Sequence, residues 1–279
     1  MIEIKEKETG DVLATVEANT LQEADLREME LANADLRGKD LQGARFDNSD
    51  LTNADFAGAN LSGASLRGAH LDDANLHGAI LKSARIGSSR RSGAAVMDGC
   101  DLSGADLSDA DLRYVSMRKA NLNGAILDRV DMCDADCSHC NLSGTSGKNL
   151  LMIHAELQEA NLEKADYRDS HLNAANLYRA NMSGMVLGSN HSEGFSAINL
   201  ANLQEANMSG ILMRNIAAEE CNMKKANLTD ADLTDAVLSG TIMRNANVRN
   251  ANFDGVELVS VTMDFANFSE ALNADIPSF

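Results

Sequence analysis

Residues 54–83 consist of six consecutive five-residue units, which read A-D-F-A-G, A-N-L-S-G, A-S-L-R-G, A-H-L-D-D, A-N-L-H-G and A-I-L-K-S. In each unit a large apolar residue, here called position i, follows two places after an alanine at position i−2. A repeat of fixed period constrains the whole fold, so it has to be interpreted before any single residue. A period of five fits neither a flat strand nor an amphipathic helix.

The five-residue period predicts a coil that turns once per unit. Side chains two residues apart on an extended segment point the same way, so positions i−2 and i can both face inward. Positions i−1, i+1 and i+2 then face outward. Glycine recurs at i+2, where it allows a tight turn and a positive φ at little steric cost. A turn in every unit closes a coil most simply after four units, or about 20 residues.

The units resemble the pentapeptide repeat family, whose pattern is A-(D/N)-L-x-x. The resemblance covers about residues 21–268 and implies an all-β fold, a right-handed quadrilateral parallel β-helix. About 48 units give about 12 coils, and a strand spacing of about 4.8 Å predicts a rod about 58 Å long.

Residues 1–20 and 269–279 lie outside the repeat. In the first segment, apolar and polar residues alternate on both sides of Gly10, which predicts a β-hairpin. We expect this hairpin to cap the N-terminal end, because an open solenoid end presents unpaired backbone groups. The last segment is expected to form a C-terminal cap or tail.

The repeat has three breaks, near residues 87–96, 143–150 and 188–196. The first and the third each shift the phase by one residue, so a one-residue bulge and a looped-out six-residue segment both fit. The second keeps the register but places Gly147 at position i. Loops that interrupt a rigid scaffold tend to carry function.

The sequence offers little for catalysis. Four of the five cysteines fall at inward positions, which predicts buried, reduced thiols. Cys133, Cys137, Cys140 and His139 are spaced like zinc ligands, but the register points two of them inward and two outward. A convex coil predicts no substrate pocket, and neither a phosphate loop nor a nucleophile elbow is present. We therefore predict a non-enzymatic protein without metal or other cofactors.

The net charge of −18 disfavours direct binding of nucleic acid. Two interpretations of the acidic residues stay open. The acidic surface could imitate DNA, at about half the charge density of the duplex along its axis. Alternatively, Asp at position i−1 simply bonds to the backbone of its own turn. Asp101, Asp106 and Asp111 are such residues.

The breaks and the acidic positions supply the candidate partner contacts. These are Arg90, Arg91, Lys148, His191, Glu193, Asp101, Asp106 and Asp111. In gyrase-protecting members of the family, protruding loops take part in protection of the enzyme, so the resemblance makes DNA gyrase a candidate partner. We predict a protein-binding module whose partner is unknown; the alternative is a DNA-mimicking regulator or protector of a type II topoisomerase.

The C-terminal end is rich in phenylalanine, and Phe265, Phe268 and Phe279 form either a cap or a homodimer interface. The resemblance implies a dimer, since gyrase-protecting members dimerise through this end. No apolar stretch is long enough to cross a membrane and no signal peptide is evident, so we expect a cytoplasmic protein without membrane contact.

Overall fold

A computed structural model describes residues 1–189 and 195–276. The chain divides into two compact units, Met1–Asn141 and Leu142–Phe279. Its regular elements are short: β1 Ile2–Lys5, β2 Val12–Val16, a 3-10 helix Arg91–Gly93, β3 Ser196–Ala197 and β4 Ile216–Ala217. Three of the candidate residues, His191, Glu193 and Phe279, lie outside the described residues.

The first unit begins with an antiparallel hairpin of β1 and β2. Ile4 is buried, and the backbone just after it bonds to the first repeats. The Lys7 amide donates to the Asn33 carbonyl at 2.9 Å, and the Asp35 amide donates to the Lys5 carbonyl at 2.7 Å. These bonds satisfy backbone groups of the repeats that an uncovered end would leave to solvent.

Within each unit, successive rungs are joined by parallel bridges between residues at position i−1, most of them 20 residues apart. In the first unit the bridges run from Asp25–Arg45 to Asn121–Asn141, and in the second from Ser146–Asp166 to Asn252–Leu272. They recur every five residues along the chain. Because each strand segment is so short, most rungs pair through single residues, and among the described residues only β3 and β4 form a longer parallel pair. This arrangement is a parallel β-helix.

A turn at every unit produces the five-residue period. In the turn after Leu51, the Ala54 amide donates to the Leu51 carbonyl at 2.9 Å. The third residue of this turn, Asn53, has a φ of 56°. Type II turns require a positive φ at this place, which favours glycine. The fourteen repeat glycines at i+2 all have a positive φ, as the sequence predicts.

Apolar side chains at i−2 and i fill the interior of each unit. Some polar residues that replace alanine at i−2 bond to a carbonyl of the preceding rung. Ser49 Oγ donates to the Leu26 carbonyl at 2.6 Å. Thr241 Oγ1 donates in the same way to the Ala218 carbonyl at 2.7 Å. These buried hydroxyl groups are therefore satisfied, which keeps the cost of burying them low.

The cysteines are free thiols, and four of them are buried, as predicted from their positions. Burial raises the pKa of Cys100 well above its usual value and raises that of Cys221 to about 12. Cys137 and Cys140 are buried while Cys133 is partly exposed. Since the thiolate is the reactive form, buried thiols with raised pKa values are poor nucleophiles and poor metal ligands.

The first break is a six-residue insertion and not a bulge. His70 pairs with Val96 and Arg85 with Asp111, so this rung contains 26 residues in place of 20. We call residues 87–94 loop 1. The Ala95 amide donates to the Ile86 carbonyl at 3.1 Å, which closes the neck of the loop.

The third break has the same length, because His171 pairs with Ala197 across 26 residues. We call residues 188–195 loop 2. Both loops start at a glycine that lies against the backbone of the next rung. A Cβ on Gly87 would lie 2.4 Å from the Arg113 amide nitrogen, and one on Gly188 would lie 2.3 Å from the Arg214 carbonyl oxygen. Only glycine fits at these two places.

The second break, at residues 143–150, does not leave the coil. Ser146 pairs with Asp166 at the ordinary spacing. Gly147 leaves space at position i, and the fully buried Tyr167 of the next rung fills it. A Cβ on Gly147 would lie 2.9 Å from Tyr167 Cδ1. The phenol oxygen of Tyr167 is hydrogen-bonded to Thr145 Oγ1 at 2.8 Å. A small and a large residue thus compensate each other in the core.

Deleting residues 88–93 is expected to leave the β-helix folded. Gly87 and Ala94 then complete a regular unit between Ile86 and Met97, so the change in the free energy of unfolding should stay within about 1 kcal/mol. Deleting only residues 88–92 leaves one surplus residue in the rung and should cost about 2 kcal/mol or more. Thermal and urea unfolding followed by circular dichroism measures both variants. An equal loss of stability in the two variants would contradict the assignment of a six-residue insertion.

Replacing Tyr167 with Leu is expected to lower the free energy of unfolding by about 2–3 kcal/mol, because Gly147 leaves a cavity that Leu cannot fill. The double variant Gly147→Leu/Tyr167→Leu restores the consensus at both positions and should recover more than half of this loss. Urea unfolding of the four members of this cycle measures the coupling. Strict additivity of the two substitutions would show that the residues do not compensate each other.

Candidate interaction surface

Loop 1 presents Arg90 and Arg91 on a folded backbone. Arg90 is extended and precedes the 3-10 helix, whose first residue is Arg91. The Gly93 amide donates to the Arg90 carbonyl at 3.1 Å. A Cβ on Gly93 would lie 2.7 Å from Ser88 Oγ, so the two ends of the loop pack closely. Both arginine side chains are exposed.

The candidate contact Lys148 lies on a regular rung and not in a protruding loop, which corrects the prediction for residues 143–150. The reason is that the large side chain of Tyr167 fills the space left by Gly147, so this rung has no inserted residue. Lys148 is exposed, and its charge adds to the lowering of the Asp166 pKa, for which the hydrogen bond from Arg168 is the main cause.

Asp101, Asp106 and Asp111 all bond within the coil. Asp101 Oδ1 accepts hydrogen bonds from the Ser103 amide and from Asn121 Nδ2, each at 3.0 Å. Asp106 Oδ2 lies 3.0 Å from Lys82 Nζ. The Ser103 and Ser108 amides are the contacts expected if aspartate at i−1 serves its own turn, and the others join neighbouring rungs. Together they leave less of each carboxylate for a partner.

The pKa values of these three carboxyl groups reflect the same contacts. Burial raises each pKa, but hydrogen bonds outweigh it, so the net direction is downward. For Asp111 the hydrogen bonds come from Arg113. Charge from Arg67 lowers its pKa further. The carboxylates therefore remain ionised at neutral pH and are held in place.

Arginine side chains at outward positions neutralise much of the acidic surface of the first unit. Arg37 donates to both carboxylate oxygens of Asp35, at 2.8 and 2.7 Å. The Arg118 side chain donates twice to Oδ2 of Asp98 on the preceding rung, at 2.9 and 2.6 Å. Arg129 pairs with Asp109 at 2.6 Å. A partner therefore meets alternating charges on this unit and not a uniform acidic surface.

The second unit has a column of asparagine side chains that the sequence analysis did not identify. In successive rungs, Nδ2 of each asparagine donates to Oδ1 of the one before it. The members are Asn161, Asn181, Asn207, Asn227 and Asn247, joined at 3.0, 3.0, 3.1 and 3.4 Å. The sequence contains the signal, because each of these asparagines is at position i−1 and is separated from the next by the length of one rung. We call them the asparagine ladder.

The described part of loop 2 ends at an exposed aromatic residue. Phe195 is 58% exposed, and its ring stands 5.8 Å from that of His171. Leu200, five residues on, is exposed with a φ of 63°, a conformation that disfavours leucine. The repeat pattern alone marks neither residue as a contact. The exposed apolar side chains mark this part of the second unit as a second candidate contact area.

The last rung of the second unit has an incompletely filled interior. Phe265 is 87% exposed, whereas Phe268 packs on Phe253 with ring centroids 5.4 Å apart. A cleft of about 600 Å³ is lined by residues that include Val261, Met263 and Ile276. These apolar groups are available to a cap or to another protein surface.

Residues 1–189 and 195–276 contain no group of three or more His, Cys, Asp or Glu side chains arranged to hold a metal ion. In that same part of the chain, no helix has the length and apolar composition needed to cross a bilayer.

Comparison with known proteins agrees with the repeat. The chain matches the pentapeptide repeats family in eight copies, over residues 20–56, 49–86, 94–129, 115–146, 155–187, 201–245 and 243–272. A search of curated protein sequences found no significant match.

Among solved structures, the chain is similar to HetL of the cyanobacterium Nostoc, a protein involved in the regulation of heterocyst differentiation. The identity is 23% over 90% of this chain and 87% of HetL, with a TM-score of 0.39. It is also similar to full-length QnrB1, a plasmid-mediated fluoroquinolone resistance protein, with 16% identity over 86% of this chain and 92% of QnrB1 and a TM-score of 0.24. Since the family repeats span more than half of the sequence, the chain belongs to the pentapeptide repeat family and forms the right-handed β-helix of that family.

Proposed function

We propose that the chain is a non-enzymatic protein-binding module. The observation that carries this proposal is the pair of six-residue insertions, loop 1 and loop 2, in rungs that otherwise contain 20 residues. Binding residues are disproportionately found on loops that a rigid scaffold positions. Here backbone hydrogen bonds from rung to rung supply the scaffold, and exposed side chains such as Arg90, Arg91 and Phe195 supply the contacts.

The finer architecture is part of the proposal. Four five-residue units complete a rung, so we infer four faces per coil and, from the number of repeats, about 12 coils in the chain. The hairpin of β1 and β2 acts as the N-terminal cap. The exposed Phe265 and the cleft beside Phe268 support a homodimer through the C-terminal end, with a simple cap as the other interpretation. The five free thiols are consistent with the reducing cytoplasm.

A specific observation favours a second candidate function, a DNA-mimicking regulator or protector of a type II topoisomerase such as DNA gyrase. The net charge of −18 would suit a surface that normally receives DNA. The ion pairs of the first unit weaken this candidate, because they neutralise part of that charge. We therefore keep it second.

The binding function predicts that loop 1 contacts a partner. A photo-crosslinking residue at Ser89 should give a discrete adduct in a lysate of the source cells, while the same residue at Ser62, on a regular rung, should not. An excess of protein without the crosslinking residue should reduce the amount of adduct. The variant that lacks residues 88–93 and 189–194 should compete at least about tenfold less well. Equal competition by this variant would contradict a role for the loops.

The topoisomerase candidate predicts inhibition of supercoiling by DNA gyrase, or protection of gyrase from a quinolone, at low micromolar protein. The loop-deletion variant should lose the effect. The control is an unrelated acidic protein of equal net charge, because a long polyanion weakly displaces DNA from many enzymes. An effect no larger than that of the control would eliminate this candidate and leave the general binding function intact.

A further inference from the structure

Four arginines of the first unit differ from all the others in their surroundings. Arg27, Arg37, Arg45, Arg113, Arg118 and Arg129 each lie within 4.0 Å of an Asp carboxylate. Arg67, Arg85, Arg90 and Arg91 are also exposed, yet none of them forms an ion pair with any residue of the described chain. In a protein with a net charge of −18, four unpaired arginines in one region are a clear departure from the pattern.

The four residues, here called the arginine cluster, are grouped around the neck of loop 1. Arg67 Nε donates to the Gly87 carbonyl at 3.3 Å, so this side chain reaches the first residue of the loop. Arg85 lies two residues before Gly87 on the same rung and is bridged to Ser65 and Asp111. Arg90 and Arg91 follow on the loop itself. The bond between Ala95 and Ile86 holds the loop at its base.

Two carboxylates on rungs next to the arginine cluster are bonded to other groups. Asp111 accepts hydrogen bonds from the Nε and Nη2 atoms of Arg113, at 3.0 and 2.9 Å. Asp47, one rung before Arg67, bonds with Ser65 and lies 3.9 Å from Arg45 Nε. Asp111 partly balances the charge of Arg67. Arg85, Arg90 and Arg91 form no ion pair with the described residues, so most of the positive charge of the arginine cluster is left for a partner. Arginine offers donors in a fixed planar fork that matches a carboxylate with two parallel hydrogen bonds.

The surroundings decide the size of the anion that fits. A long polyanion such as duplex DNA, or an anionic membrane, extends beyond the cluster and meets the carboxylates of the neighbouring rungs. Repulsion acts over a Debye length of about 10 Å at moderate salt. A short segment with a few carboxylates can stay within the cluster. The folded loop also lowers the ordering cost of binding, because its backbone is fixed in advance.

We propose that Arg67, Arg85, Arg90 and Arg91 form a docking site for a short acidic segment of a partner protein. This inference rests on the proposed protein-binding function and specifies the chemistry of one contact. The segment would lie across the neck of loop 1, with its carboxylates paired to the guanidinium groups.

The experiment measures binding of a fluorescent peptide of consecutive glutamates by anisotropy, at about 20 mM and about 150 mM salt. The full chain should bind the peptide, and the affinity should fall as salt rises. The variant with all four arginines of the cluster changed to Gln should bind at least about tenfold more weakly. The variant Arg90→Gln/Arg91→Gln alters only the loop, and it should lose about threefold or more even if Arg67 also supports the fold.

The matched control changes Arg27, Arg37, Arg118 and Arg129 to Gln, which alters the net charge equally but spares the cluster. It should lose less than about threefold, and thermal unfolding must show that all variants are folded. Equal losses in control and cluster variants would overturn the proposal. So would tighter binding of a short duplex DNA or of phosphatidylserine vesicles than of the peptide. The peptide affinity tests this site, and the crosslinked adduct tests the proposed binding function. Failure of one is therefore distinguishable from failure of the other.

Discussion

The fold depends on the burial of two side chains per five residues, one small and one large, on the same side of an extended segment. Each rung contributes a thin layer of such pairs, and neighbouring rungs cover the layer on both sides. Because no single rung can bury its apolar surface alone, stability accumulates along the stack. The turn after position i makes this possible, and it requires a positive φ at i+2 in unit after unit. Asparagine, aspartate and other residues accept this conformation at some cost where glycine is absent.

The sequence predicted the repeat, the inward positions, the turning glycines and the N-terminal strands, because each depends on neighbours within a few residues. It left open whether the first and third breaks were bulges or loops, since phase alone cannot separate the two. The rung pairing of His70 with Val96 decided the question. It misjudged residues 143–150, because Gly147 looks like a break until Tyr167, a rung away, is seen to fill the space.

The candidate site was predicted less completely than the fold. Arg90 and Arg91 stood out because they interrupt the repeat. Arg67 and Arg85 did not, because they occupy ordinary outward positions and their meaning depends on residues one rung away. The same holds for Asp101 and Asp106, whose carboxylates bond to neighbours that the linear sequence separates. These contacts can be recognised in the sequence only if it is aligned rung under rung, with the two six-residue insertions left out of the alignment.

The asparagine ladder has a direction, since each amide donates toward the N-terminal rung and accepts from the C-terminal one. An aspartate can accept but cannot donate, so in such a column it accepts from the next rung, as Asp101 does from Asn121, and gives no hydrogen bond to the rung before it. Replacing an interior member such as Asn181 by aspartate would therefore remove the donor to Asn161 and place a carboxylate against the Asn161 amide oxygen. The order of asparagine and aspartate along such a column therefore decides which adjacent rungs are joined by a side-chain hydrogen bond.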